Sequence, residues 1–249
     1  MKIALITGAS SGMGREIIRQ LHKYFQVDEI WAVARRKDRL EELEKLTPFT
    51  VVPVEADLSE KTSLIKIKDL LEEKKPEISL LVNCAGFGKI GKVEEIPLNE
   101  QLGMLEVNCS ALTAVTNISL PHMKEGGRIM QFASVAAFLP QPKFAVYAAS
   151  KSYVLSFSRA LNSELRERKI KVCAICPGPV KTEFFTLAES TGKLAAYKTK
   201  FMAPADKVVK KALKAVKKGR QISVYGFTMK FLHLITKILP QRLVLAFFK

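Results

Sequence analysis

The stretch FAVYAASKSYVLSFSRAL, Phe144 to Leu161, sets a tyrosine and a lysine four residues apart at the start of what reads as a long buried helix. Residues i and i+4 of an α-helix share a face, so the Tyr147 phenol and the Lys151 ammonium can lie close together. A free phenol titrates near ~10 and a free ammonium near ~10.4, and neither exchanges protons readily at neutral pH. A cation a few ångström away favours the phenolate and lowers the phenol toward the range in which general acid–base catalysis is efficient. The same spacing also suits an amphipathic tyrosine beside a snorkelling lysine. The pair therefore acquires meaning only if the rest of the chain supplies something for such an acid to act on.

A second chemical signal stands near the N-terminus. TGASSGMG carries Gly8, Gly12 and Gly14, with Ser10, Ser11 and Met13 between them, directly after an apolar run and before a helical pattern. Glycines so placed let the chain turn tightly, let backbone approach a pyrophosphate and let the helix pack close to the strand, with the helix N-terminus facing the phosphates. Sites of this kind that prefer NAD carry an acid about 20 residues further on. Here that place is taken by Ala34, Arg35 and Arg36. No carboxylate repels a 2′-phosphate and two guanidiniums could bind one, which favours NADP(H). The alternative makes Arg35 and Arg36 solvated residues leading into KDRLEELEKL.

These residues need elements to position them. Strand-like runs (KIALIT, EIWAVA, FTVVPVE, SLLVNC, GRIMQFAS, KVCAIC, QISVYG) alternate with helical patterns (REIIRQLHKYF, KTSLIKIKDLLEEKK, NEQLGMLEVNCSALTAVTNISL and Phe144 to Arg168). Such alternation predicts an α/β, doubly wound, seven-stranded parallel sheet with helices on both faces, in a single domain. We expect this domain over residues 1–226, with a substrate loop or lid at 182–203 and a basic amphipathic extension at 227–249.

Taken together, TGASSGMG, the NCAG at Asn83 to Gly86, Asn108, Ser134, YAASK at Tyr147 to Lys151 and PGPVKT at Pro177 to Thr182 resemble the short-chain dehydrogenase/reductase family in order and spacing over about residues 1–185. The resemblance implies a Rossmann-type sheet and a hydride-transfer reaction. It makes Tyr147 the general acid in carbonyl reduction and the base in alcohol oxidation. Lys151 would lower the phenol and bond the nicotinamide ribose. Ser134 would bond the substrate oxygen, and Asn108 would hold a water completing a proton relay. It further implies that Asp57 bonds the adenine amino group beside Leu58, that Asn83 braces the sheet, and that Ala85 and Gly86 allow the cofactor close. Pro177, Gly178, Val180 and Thr182 would seat the nicotinamide. Cys84 departs from the small or amide residue usual in that motif.

Composition narrows the remainder. The N-terminal apolar run is too short for a secretory signal, and no run is long enough to span a membrane, so we expect a cytoplasmic protein. The four cysteines do not suggest a disulfide framework, and no metal is expected: Cys173 and Cys176 lie in one strand-like run, where i and i+3 point to opposite faces. Net charge is +16, and ten of those charges arise after residue 200, where Asp206 is the lone acid. Phe138, Leu139, Phe144, Phe184, Phe185, Leu187, Leu194, Tyr197, Phe201 and Met202 suit an apolar carbonyl substrate, or equally the packing of a lid. Phe227, Phe231, Leu234, Ile235 and Ile238 recur at helical spacing with Lys230, His233 and Lys237 on another side. Such a helix can lie on an anionic membrane, cover the pocket or form the interface of a homo-oligomer, a dimer or tetramer. Nucleic acid ranks behind these partners because lysine dominates the basic tail and no recognition motif accompanies it. A non-catalytic NADP(H)-sensing or scaffold protein is the alternative to an enzyme, but it has no use for the Ser134, Tyr147 and Lys151 set.

Overall fold

A computed structural model describes residues 1–192, 202–240 and 242–243. Its strands are β1 (Lys2–Thr7), β2 (Glu29–Ala34), β3 (Thr50–Glu55), β4 (Glu77–Asn83), β5 (Arg128–Phe132), β6 (Lys171–Cys176) and β7 (Ile222–Val224). They form one parallel sheet in the order β3-β2-β1-β4-β5-β6-β7. All seven expected strands are present, with ends shifted by up to two residues.

The central strands are apolar throughout because both of their faces are covered. In β1, Ala4 and Ile6 join one core cluster, while Ile3 and Leu5 join another across the sheet. The first face receives helix α1 (Gly12–Leu21) through Ile17, Ile18 and Leu21. A second helix packs there, Ala205–Lys217, whose Val209, Leu213 and Val216 recur at helical spacing. On the other face lie α3 (Lys61–Lys74), α5 (Leu112–Ser119) and α6 (Ala145–Glu164), contributing Ile67, Leu71, Val115 and Leu161. A short α2 (Lys37–Glu41) follows β2. Cys173 and Cys176 are buried free thiols in different clusters, as the alternation of a strand requires.

One helix departs from expectation. The segment read as a single helix from Asn99 to Leu120 is α4 (Leu98–Leu105), then a wider π-helical turn (Glu106–Ala111), then α5. The wider turn carries Asn108, which is completely buried. Past β6, the expected lid contains α7 (Phe184–Ala188). Its remaining residues Leu194, Tyr197 and Phe201 lie outside the described residues. Among the described residues, α8 (Ala205–Lys217) and α9 (Phe227–Ile238) follow. Residues 244–249 of the expected extension also lie outside the described residues.

Because β1 and β4 are neighbours while their connections run to opposite sides, the strand order reverses between them. In an open parallel sheet the cleft at the carboxyl ends of such strands is where ligands bind. The loops holding TGASSGMG and NCAG both open there.

Candidate active site

The first turn of α6 brings Tyr147 to the carboxyl end of the sheet, and Lys151 follows one turn later. Both are buried. The Tyr147 ring stacks on Phe144, with centroids 4.3 Å apart, and meets Phe184 of α7 at 5.5 Å. Ser134 stands just beyond β5. Its Oγ accepts the Ala136 N–H at 3.1 Å, capping a short helical turn, and its side chain also bonds the Tyr147 phenol. Lys151 Nζ donates to the carbonyl of Phe132 at 2.9 Å and lies 5.7 Å from the centre of the Tyr147 ring.

This environment reverses the expected sign at the tyrosine. Burial pushes the Tyr147 phenol up to about 12, against a smaller opposing effect of its bond with Ser134. Burial likewise pushes the Lys151 ammonium down to about 8, while Cys84, Cys109 and Cys176 act in the other direction. The phenol is therefore a protonated donor at neutral pH, and the lysine is the group that titrates close to it.

Asn108 bonds two neighbouring segments of the chain. Its amide donates to Phe87 O at 2.9 Å and Ser150 Oγ at 3.0 Å, while Oδ1 accepts the Phe87 N–H at 3.0 Å. The side chain thus ties the NCAG loop to α6, and only Oδ1 retains accepting capacity. A Cβ on Gly86 would lie 2.8 Å from that Oδ1 and 3.1 Å from Lys151 Nζ, so glycine keeps the floor open between them.

The neighbouring groove is built from the other expected positions. Gly8 has a left-handed φ of +67°, and a Cβ there would meet Ala85 N at 2.7 Å. This close approach is locked by Thr7 Oγ1, which accepts the N–H groups of Cys84 and Ala85 at 3.1 and 3.2 Å. Ser11 precedes α1, Ser10 is buried, and Gly12 and Gly14 occupy the first turn, where Met13 lines the cavity. Asn83 donates to Thr116 Oγ1 at 3.0 Å, bracing β4 against α5. Pro177 O accepts the Val135 N–H at 3.0 Å, Gly178 lies against Met229, and Val180 bridges to Ala203. Thr182 faces Gly12 across the cleft, where a Cβ on Gly12 would lie 3.5 Å from the Thr182 side chain. The donor-rich helix start, glycine floor and close backbones fit a dinucleotide.

At the far end, Asp57 accepts from Ser59 N at 3.0 Å and Ser59 Oγ at 2.7 Å, beside buried Leu58. Burial raises the Asp57 carboxyl, but these bonds and Arg35 outweigh it and leave the net shift downward. The two arginines diverge. Arg35 pairs with Asp57 at 3.7 Å, whereas Arg36 turns toward the glycine loop, with Nη2 3.4 Å from Ser10 Oγ. Arg39, which the sequence reading missed, joins Arg36 around the carboxylate of Glu183. Its signal was present as the i, i+3 spacing of RRKDR; the distant Glu183 left no comparable local trace.

Tyr147, Ser134 and Lys151 border a cavity of about 380 Å³ that runs on to Thr182 and Met13. Leu139, Phe144, Phe184 and Phe185 line it as expected, and α9 adds Met229 and Leu232. Phe138 instead stacks on His233 at 4.0 Å, Leu187 is exposed and Met202 is half-buried.

The family model for short chain dehydrogenases matches residues 2–192. The chain is 32% identical over 190 residues to an NADP-dependent 3-hydroxy acid dehydrogenase of Schizosaccharomyces pombe, covering 74% of this chain and 73% of that protein. Among solved structures it is similar to a short-chain dehydrogenase from Sphingobium yanoikuyae in complex with NADPH, with a TM-score of 0.81, 25% identity, and 99% and 95% of the two chains covered. It is similar also to the bulky-bulky ketone specific alcohol dehydrogenase of Comamonas testosteroni, with a TM-score of 0.75, 25% identity, and 99% and 94% covered. The chain belongs to the short-chain dehydrogenase/reductase family of oxidoreductases.

Proposed function

We propose that this protein is an NADP(H)-dependent oxidoreductase that interconverts an apolar ketone and its secondary alcohol. The observation that carries the reading is the placement of Tyr147 beside Ser134 and Lys151 at the floor of a largely apolar cavity continuous with the dinucleotide groove. A reduced nicotinamide held in that groove would supply the hydride that the carbonyl carbon takes up. Ser134 and Tyr147 hold the carbonyl oxygen, and Tyr147 gives it the phenol proton as charge develops there. A phenolate remains, which the Lys151 cation stabilises until a proton returns. Asn108 Oδ1, near Lys151 across Gly86, is suited to hold the water through which that proton arrives. Asp57, Leu58, Arg35 and Arg36 would hold the adenosine half, the glycine loop the pyrophosphate, and Ala85, Gly86 and Pro177 to Thr182 the nicotinamide half.

The lining by Phe144, Phe184, Phe185 and Met229 favours a bulky apolar carbonyl, in line with the ketone specificity named for the Comamonas enzyme. NADPH consumption measured across aliphatic, steroid-like and small polar ketones, with NADH in parallel, tests both halves of the reading. Turnover of small polar ketones alone, or equal efficiency with the two cofactors, would contradict it.

A specific observation also favours peripheral contact with an anionic membrane. On α9 the inner side supplies Met229 and Leu232 to the cavity, while Phe227, Phe231, Leu234 and Ile238 are exposed together. Lys230 and Lys237 flank that stripe, and exposed lysines of α8 lie beside it in sequence. No helix among the described residues is long and apolar enough to cross a membrane. The stripe would therefore lie along the surface, with its cations toward lipid phosphates. The same stripe would serve a homo-oligomer interface, for which no residue pairing argues specifically.

A further inference from the structure

The carboxylate of Glu183 sits between two guanidiniums that a phosphate could occupy. Arg39 Nη1 donates to its two oxygens at 2.7 and 2.9 Å, and Arg36 Nη1 donates to the second oxygen at 3.2 Å. The other Arg36 nitrogen reaches Ser10 of the glycine loop, which puts this cluster beside the dinucleotide groove. Glu183 itself belongs to the opposite wall. It follows Thr182, which faces Gly12 across the cleft, and it precedes α7, whose Phe184 lies over Tyr147. A salt-bridged carboxylate therefore spans the cleft and occupies one terminal nitrogen of each of two arginines.

We propose that Glu183 is a specificity-determining residue that stands in for the 2′-phosphate of the cofactor, holding Arg36 and Arg39 until that phosphate displaces it. The proposal rests on the NADP(H) reading given above. Carboxylate and phosphate present similar oxygen geometry to guanidinium. They differ in charge: a phosphate monoester carries about −1.5 to −2 near neutral pH, against −1 for Glu183. The bridge is also readily opened, since the side chains of Arg36, Arg39 and Glu183 are 42%, 34% and 55% exposed. A cofactor without the phosphate leaves Glu183 where it is. Exchange of partners frees the residue next to α7, so uptake of the phosphorylated cofactor is coupled to one wall of the substrate cavity.

The test uses fragments that contain only the adenosine end: 2′,5′-ADP, and 5′-ADP as the form lacking the 2′-phosphate. Both are titrated calorimetrically into the full chain and its Glu183→Gln variant. The variant is expected to bind 2′,5′-ADP about two- to fivefold more tightly at low ionic strength, as follows from removing one partly exposed competing ion pair. The gain shrinks at high salt, and 5′-ADP binds both proteins alike. Unchanged or weaker 2′,5′-ADP binding by the variant overturns the proposal, as does an equal gain for 5′-ADP, which would mean a general opening of the groove. If the unaltered protein binds the two nucleotides equally, the NADP(H) reading falls and the proposal with it. If it prefers 2′,5′-ADP but the variant gains nothing, only the role of Glu183 falls.

Discussion

Raising the pH through the titration of Lys151 should slow ketone reduction, and the structure sets both position and size of the effect. Burial places the Lys151 ammonium at about 8, so the side chain is cationic below that pH and neutral above it. Reduction removes the proton from Tyr147, whose buried phenol is itself displaced upward to about 12. The phenolate left behind needs a nearby cation more than an exposed one would. With the ammonium 5.7 Å from the ring centre and an effective dielectric constant of about 20, the attraction amounts to roughly 3 kcal/mol. Losing it corresponds to a rate loss on the order of 100-fold. The expected profile of kcat/KM for reduction is thus level on the acid side, bends near pH 8 and falls about tenfold per unit before levelling again. Initial rates of NADPH consumption from pH 6 to 10, with a Lys151→Met variant alongside, provide the assay. The variant should be slow throughout and lack the bend. A wild-type profile that stays flat or rises beyond pH 9, or a bend that persists in the variant, would refute this role for the cation.

Two further outcomes follow from contacts in the site and on the surface. Gly86→Ala places a methyl group 2.8 Å from Asn108 Oδ1 and 3.1 Å from Lys151 Nζ, so it should displace the lysine and lower kcat at least tenfold with little change in melting temperature; a variant with unaltered kinetics would show that the floor tolerates the methyl. Phe227→Glu with Phe231→Glu breaks the outer stripe of α9 but spares Met229 and Leu232, so it should abolish co-sedimentation with anionic vesicles while leaving turnover of a soluble ketone intact. Equal sedimentation of both proteins, or none for the unaltered chain at low salt, would dismiss the membrane contact.

The seven strands were legible because a parallel sheet covered on both faces turns into nearly continuous apolar runs such as IALI and SLLV. The glycine loop and the tyrosine–lysine pair were legible for a related reason: their functional geometry is contained in a few consecutive residues. The π-helical turn at Asn108 was not, since one extra residue per turn leaves the apolar pattern of the flanking helix almost unaltered. The upward displacement of the Tyr147 phenol was not legible because spacing reveals Lys151 but not the burial of the ring, packed against Phe144 and Phe184, that raises it. Arg36 was found from its place after β2, whereas Glu183, 147 residues away, meets it only through the fold. The two faces of α9 read from sequence as one apolar helix with three possible fates; the structure gives its inner side to the cavity and leaves the outer one exposed.

The most direct measurement of the central claim is the turnover of Tyr147→Phe with NADPH and a bulky apolar ketone, paired with NADPH binding to the same variant. The substitution removes the phenol oxygen and keeps the ring between Phe144 and Phe184. Loss of one positioned general acid should lower kcat by ~10² to 10⁴ while the Kd for NADPH stays nearly unaltered. A variant that keeps close to the unaltered kcat would contradict the assignment of Tyr147 as proton donor.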